Sequence, residues 1–105
     1  MNPQTIIDTL NALLNLSESG RMDRSEDRPC RVVRLDQGTF RGECVGEDGK
    51  VVHHPRIVVE GQRAFGCTCP DHARQRGTKG PCKHVISLAK AALIQTSLLE
   101  MLQAE

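Results

Sequence analysis

Aromatic residues are nearly absent from this chain of 105 residues, which has no Trp, no Tyr and two Phe. A buried aromatic ring contributes about 150–250 Å² to a core, so most of that contribution is missing. Only 38% of the residues are hydrophobic. The length leaves no room for a second independent core. Small domains with meagre cores usually depend on disulfides, a metal or a partner chain, and we expect such help here.

The chain also lacks an excess of one charge and any long apolar run. Its 14 Lys and Arg residues against 13 Asp and Glu give a formal charge of +1, which argues against indiscriminate coating of nucleic acid or membranes. No run approaches the roughly 18 apolar residues of a membrane span. The N-terminus has no basic region typical of a secretory signal. We therefore expect no membrane partner and a cytoplasmic protein, or a nuclear one in a eukaryote.

Hydrophobic spacing near the N-terminus predicts an amphipathic helix. Asn2 suits its N-cap, Pro3 its first position and Gly20 its C-terminal end. The apolar residues at helical spacing are Ile6, Ile7, Leu10, Leu13 and Leu14. Residues 1–20 are assigned to this helix. Residues 21–29 alternate in charge with almost nothing to bury, and are assigned to a solvated linker.

Short β-rich runs separated by glycine-containing turns follow the linker. The predicted strands are residues 30–35, 39–45, 51–52, 57–59 and 64–68. Their short connections favour a small antiparallel meander of about four strands.

The last segment, residues 82–103, has the periodicity of a long amphipathic helix. Such a helix is roughly 30 Å long, which is more than a sheet of short strands needs to cover it. We expect its far end to pack on the N-terminal helix or on a second copy of the chain, which would give a homodimer through the terminal helices. Residues 30–105 are then a single domain, and the predicted fold class is α+β.

Three cysteines and one histidine form two close pairs, Cys67 with Cys69 and Cys82 with His84. A Cys₃His set is an ordinary tetrahedral shell for structural zinc. Residues at i and i+2 share one face of a strand, whereas in mid-helix they point apart. Pro81 suits the first helical position, which places Cys82 and His84 in the opening turn. We expect one structural Zn²⁺ that staples a β-hairpin to the C-terminal helix.

Other interpretations of these residues remain open. Buried reduced cysteines with a surface histidine would need no metal, and an iron–sulfur cluster is disfavoured because its usual shell is Cys₄. His72 could compete as a ligand, but the chain would have to double back tightly. Four protein ligands saturate zinc, whereas a catalytic site keeps one position open. We therefore expect no enzyme, with cysteine or metal catalysis as the remaining alternative.

The other cysteines and histidines favour less specialised roles. Five cysteines are an odd number for an apparently intracellular chain, so disulfides are a poor explanation of them. Cys30 and Cys44 are predicted to be small core residues across a hairpin. His53 and His54 are predicted to be surface residues at a strand end. A second metal site that combines them with Cys44 is the alternative.

The order C-x-C, variable loop, C-x-H resembles the SWIM zinc-finger family, and the chain is similar to a small stand-alone member. The resemblance covers about residues 56–95 and extends to Pro70-Asp71, Gly80-Pro81, Lys83 and Val85-Ile86. It implies a β-hairpin and a helix closed by zinc at Cys67, Cys69, Cys82 and His84. The chain departs from the family at His72, where many members carry an aromatic residue. DNA binding and protein–protein contact are both attributed to this module.

Basic residues are concentrated around the predicted zinc site. Residues 56–90 contain seven basic and two acidic residues, a net charge of +5, while the rest of the chain sums to −4. Such a patch suits contacts to nucleic-acid phosphates, which position a protein without reading sequence. The predicted contact residues, with DNA as the favoured partner, are Arg74, Arg76, Lys79 and Lys83. The alternatives are an ordinary solvated loop, and an adaptor that docks onto a larger DNA-processing or regulatory complex through the finger and the C-terminal helix.

Overall fold

The structure is a computed structural model that describes residues 3–17, 20–21, 25, 30–36, 38–45, 49–50, 52–59, 64–75 and 80–103. Its elements follow the order α1 (Pro3–Asn15), β1 (Cys30–Asp36), β2 (Thr39–Val45), β3 (Val52–His53), β4 (Arg56–Val58), β5 (Ala64–Gly66), α2 (Pro70–Gln75) and α3 (Lys83–Gln103). An N-terminal helix, a small antiparallel sheet and a C-terminal helix confirm the predicted α+β class.

The predicted N-terminal helix is shorter in the structure than its sequence pattern indicated. α1 ends at Asn15, and a turn follows in which the Leu16 N–H donates to the Leu13 carbonyl over 3.1 Å. Gly20, which was expected to cap the helix, has helical backbone of its own. The apolar stripe is as predicted, because the core includes Ile6, Leu10 and Leu13.

The strands form one sheet in the order β1-β2-β4-β5, with β3 paired to β2 beside β4. All the pairings are antiparallel. The turn between β1 and β2 contains Gly38 at a φ of 75°, a conformation that glycine adopts without steric cost. β5 ends at Gly66, two residues before the predicted strand end. The sheet therefore reaches the first cysteine pair without including it.

One face of the sheet packs against α3, and α3 also packs against α1. At Gly42 of β2 the two lie close together, since an added Cβ would lie 2.7 Å from Leu88 Cδ1. A side chain at this position would have to displace the Leu88 side chain. The buried apolar side chains of this core include Leu10, Phe40, Ile57, Val85, Leu88 and Ala92.

The charged segment 21–29 is not solvated at the two positions that the structure describes. Arg21 and Ser25 are 6% and 3% exposed. The Lys90 ammonium of α3 donates to Ser25 Oγ over 2.7 Å, and Arg21 forms an ion pair with Asp71. The linker prediction is wrong at these two residues because each is buried and hydrogen-bonded to a polar side chain. The rest of the segment lies outside the described residues.

The far end of α3 is apolar and exposed. The large side chains beyond residue 93 with more than half of their surface exposed are Ile94, Leu98, Leu99, Met101 and Leu102. Thr96 of the same segment is buried, so the exposed side chains lie on one side of the helix. Among the described residues, no helix has both the length and the apolar character that crossing a bilayer requires.

Candidate metal centre

The first cysteine pair lies between β5 and α2. Cys69 precedes Pro70, which opens α2, and the Cys69 carbonyl accepts the first helical hydrogen bond, from the Ala73 N–H over 3.2 Å. Its Sγ lies 3.5 Å from the backbone nitrogen of His72, which donates to it. Cys67 and Cys69 were expected on a strand face. The structure instead places them in the bend after the strand, and the predicted polar loop begins as a helix.

The second pair lies at the N-terminus of α3. Cys82 precedes the helix, and its carbonyl accepts the N–H of Ile86 over 3.0 Å. His84 falls in the first turn, as predicted. Pro81 stands two residues before the helix rather than at its first position. Gly80, with a φ of 85°, turns the chain into this approach.

The structure brings the four predicted ligands together in one cluster. The Sγ atoms of Cys67, Cys69 and Cys82 and a ring nitrogen of His84 all lie within 4.8 Å of one another. In a zinc tetrahedron with sulfur at 2.3 Å, neighbouring sulfur atoms lie about 3.8 Å apart, so small movements would close this set around an ion. Cys69, Cys82 and His84 are at most 2% exposed, and Cys67 is half-buried.

His84 supplies independent support for a metal at this position. Both of its ring nitrogens are buried and have no hydrogen-bond partner among the described residues. A buried polar group left unpaired costs about 1–3 kcal/mol. A metal bound to one nitrogen would remove the cost at that nitrogen, so the residues present fit the group.

The three thiols perturb one another strongly. Hydrogen bonding to Cys69 and Cys82, with burial, raises the pKa of Cys67. The complementary bonds from Cys67 and Cys82 lower the pKa of Cys69. For Cys82, the bond with Cys67 lowers the pKa, but the bond with Cys69 and burial outweigh it and raise the pKa to about 11. The three sulfur atoms thus hydrogen-bond to one another, whereas a divalent cation would stabilise all three as thiolates.

The remaining histidines surround the cluster without joining it. His72 packs edge-on against Phe65 at a centroid distance of 6.4 Å, so it stands in ring contact with an aromatic residue. His53 is half-buried, and its ring lies 4.5 Å from that of His84. His54 is exposed, and its N–H donates to Thr68 Oγ1 over 3.0 Å. His53 was predicted to be a surface residue, and its position over a candidate ligand corrects that prediction.

Cys30 and Cys44 lie in the core across the β1–β2 hairpin, as predicted, and they are also paired with each other. They are register partners on β1 and β2, and the structure joins them as a cross-strand disulfide with Cα atoms 4.3 Å apart. Their sulfur atoms lie 3.4 and 3.8 Å from the carbonyl oxygen of His84. The odd number of cysteines argued against disulfides, and that argument fails for this pair. In the described part of the chain, they form no second metal group with His53 or His54.

The structure describes only part of the predicted nucleic-acid contact. Arg74 is exposed on α2, and Lys83 is half-buried at the start of α3. Arg76 and Lys79 lie outside the described residues. The metal cluster therefore brings together the two ends of the basic loop, from α2 to α3.

An ion pair that the sequence did not predict supports α2. The guanidinium of Arg21 donates to both carboxylate oxygens of Asp71, over 2.8 and 2.9 Å. This hydrogen bonding lowers the pKa of Asp71. Fifty residues separate the two partners, so no local pattern could have indicated the contact. The pair fixes the residue two positions after Cys69, and so helps to position that ligand.

Comparison with protein-family models, with characterised proteins and with solved structures gives no match. The geometry of the site is therefore the basis for its interpretation.

Proposed function

We propose that the chain is a non-enzymatic module in which one structural zinc ion positions a basic surface for nucleic-acid binding, with the DNA backbone as the favoured partner. The proposal includes membership of the SWIM-type zinc-finger family. The observation that carries it is the convergence of Cys67, Cys69, Cys82 and His84 within 4.8 Å. Such a partner would place the protein in the cytoplasm, or in the nucleus of a eukaryote.

Zinc is the proposed metal because of the donor set. Thiolate and imidazole donors in tetrahedral array are typical of structural zinc, and iron–sulfur clusters usually take four cysteines. Because all four positions are filled by protein groups, a bound ion would have no open position for water or substrate. This closure supports a structural rather than a catalytic role.

The proposed contact is the basic loop between the two ligand pairs. Arg74 and Lys83 flank the cluster on α2 and α3, and Arg76 and Lys79 belong to the same segment of sequence. Zinc with three thiolates and one imidazole adds about one negative charge, so the surface around the site stays basic. Lys and Arg contacts to phosphates give affinity that falls steeply with salt.

Mobility-shift and anisotropy measurements with duplex DNA test this proposal. The triple variant Arg74, Arg76 and Lys79→Ala should lose most of the binding, and the wild-type affinity should fall with added salt. Zinc content measured on both proteins controls for loss of the fold. Salt-independent binding, or full binding by the metal-loaded triple variant, would contradict the proposal.

The exposed end of α3 favours an adaptor as the second candidate. Ile94, Leu98 and Met101 follow helical spacing and are 64%, 55% and 68% exposed. Large exposed apolar patches mark interaction sites. A partner protein or a second copy of the chain should then bind the wild type but not the variant Leu98→Glu plus Met101→Glu. Sedimentation velocity distinguishes a partner protein from a second copy of the chain, since a homodimer forms without any added protein. A monomer whose captured proteins are the same for wild type and variant would refute the adaptor.

A further inference from the structure

Three arginines stand side by side on neighbouring strands of the sheet. Arg34 of β1 is the register partner of Arg41 of β2, and Arg41 is the register partner of Arg56 of β4. Directly opposed residues of antiparallel strands lie on the same face, and neighbouring strands are about 4.8 Å apart. We call Arg41 and Arg56, which lie on adjacent strands about 4.8 Å apart, the arginine row.

The arginine row faces away from the core. β2 alternates along its length, with Phe40 and Gly42 buried and Arg41 exposed between them. On β4, Arg56 is exposed and Ile57 is buried. Arg41 and Arg56 therefore point from the outer face of the sheet into solvent, opposite the face that α3 covers.

This arrangement is unfavourable in the isolated chain. Like charges directly opposite each other on neighbouring strands destabilise a sheet. Within the described part of the chain, neither Arg41 nor Arg56 has an acidic partner. The next outward-facing pair on β1 and β2 is balanced in charge. Arg31 stands opposite Glu43, and its guanidinium lies 2.6 Å from that carboxylate. An external anion would supply the missing negative charge to the row.

The arginine row continues towards the metal centre. The register partner of Arg56 on β5 is Gly66, and a Cβ added at Gly66 would lie 3.3 Å from Arg56 Nε. The same point lies 3.8 Å from His72 Nε2 of α2. The Arg56 side chain thus extends across the bare backbone of Gly66 to the helix that carries Arg74.

We infer that the arginine row binds successive phosphates of a nucleic-acid backbone. The row then extends the proposed DNA-binding interface of the basic loop, and the inference rests on that proposed function. Guanidinium groups bind phosphate oxygens through paired hydrogen bonds, which suits a regular line of phosphates. Stacking on bases is not part of the contact, because Phe40 is buried and Phe65 packs against His72.

Fluorescence anisotropy with a labelled DNA duplex, over a series of salt concentrations, tests the inference. The row variant is Arg41→Gln plus Arg56→Gln, and the loop variant is Arg74→Gln plus Lys83→Gln. The matched control is Arg31→Gln plus Lys50→Gln, which removes the same charge from two other exposed positions. Each lost phosphate contact should lower the slope of log K against log salt by about 0.9, so the row variant should lose about 1.8 and bind at least about tenfold more weakly. The control should keep the wild-type slope.

Each other outcome overturns the inference in a distinguishable way. Wild-type slope and affinity in the row variant, with loss in the loop variant, would refute the row and leave the proposed function standing. Equal losses in the row variant and the control would mean that net charge alone matters. Competition by polyglutamate as effective as by unlabelled DNA would indicate an acidic polypeptide as the ligand. A wild type that binds no nucleic acid would refute both proposals.

Discussion

Removal of the metal should unfold this protein. Structural zinc contributes roughly 10–16 kcal/mol in small fingers, whereas a whole domain has a net stability of about 5–15 kcal/mol. Without the ion, the buried ring nitrogen of His84 that would bind it is left unpaired, at about 1–3 kcal/mol. The link between β5, α2 and α3 would then be lost in a core with only two aromatic residues.

The assay combines elemental analysis with circular dichroism before and after dialysis against a chelator. We expect one zinc ion per chain and loss of the cooperative thermal transition once zinc is removed. His84→Gln should purify without stoichiometric metal, and His72→Gln is the matched control that should keep it, since His72 is not in the cluster. A chain that holds no metal and still melts cooperatively after chelation would refute the reasoning.

Three further perturbations test the packing around the centre. Gly42→Val should lower the free energy of unfolding by about 1–3 kcal/mol in urea titrations, because the new side chain overlaps a leucine of α3; unchanged stability would contradict the close approach. Asp71→Asn should cost about 1.5–3 kcal/mol in the zinc-loaded protein, since the buried Arg21 loses its charged partner, and a neutral effect would show that the pair is dispensable. A non-reducing tryptic digest should yield a linked peptide with Cys30 and Cys44, and alkylation of both thiols before reduction would disprove the disulfide.

The metal ligands could be predicted from the sequence because the information is local. Each pair spans three residues, and ligand chemistry restricts the metals that such a set binds. The helix α2 was missed although its signals are present, with Pro70 at the first helical position and Asp71 in the first turn. The short interval between two ligand pairs was interpreted as a loop, and the helix-start signals were given too little weight.

Contacts between distant segments could not be predicted in the same way. The arginine row depends on the register of β2 and β4, and a shift of one residue would turn Arg41 to the other face. The cross-strand pairing of Cys30 with Cys44 depends on the register of β1 and β2. The charged segment 21–29 has no hydrophobic pattern, so nothing in it indicated that Arg21 and Ser25 are buried.

Gly80 shows that the resemblance to a finger does not define an autonomous folding unit. Its α-carbon faces the end of α1 so closely that a Cβ would lie 2.6 Å from the carbonyl oxygen of Leu16. Arg21, a few residues later, holds Asp71 on the other side of the loop. A fragment cut to residues 56–95 would lose both supports and most of the hydrophobic cover of α3. We therefore expect a fragment that folds and binds metal by itself to include the N-terminal helix.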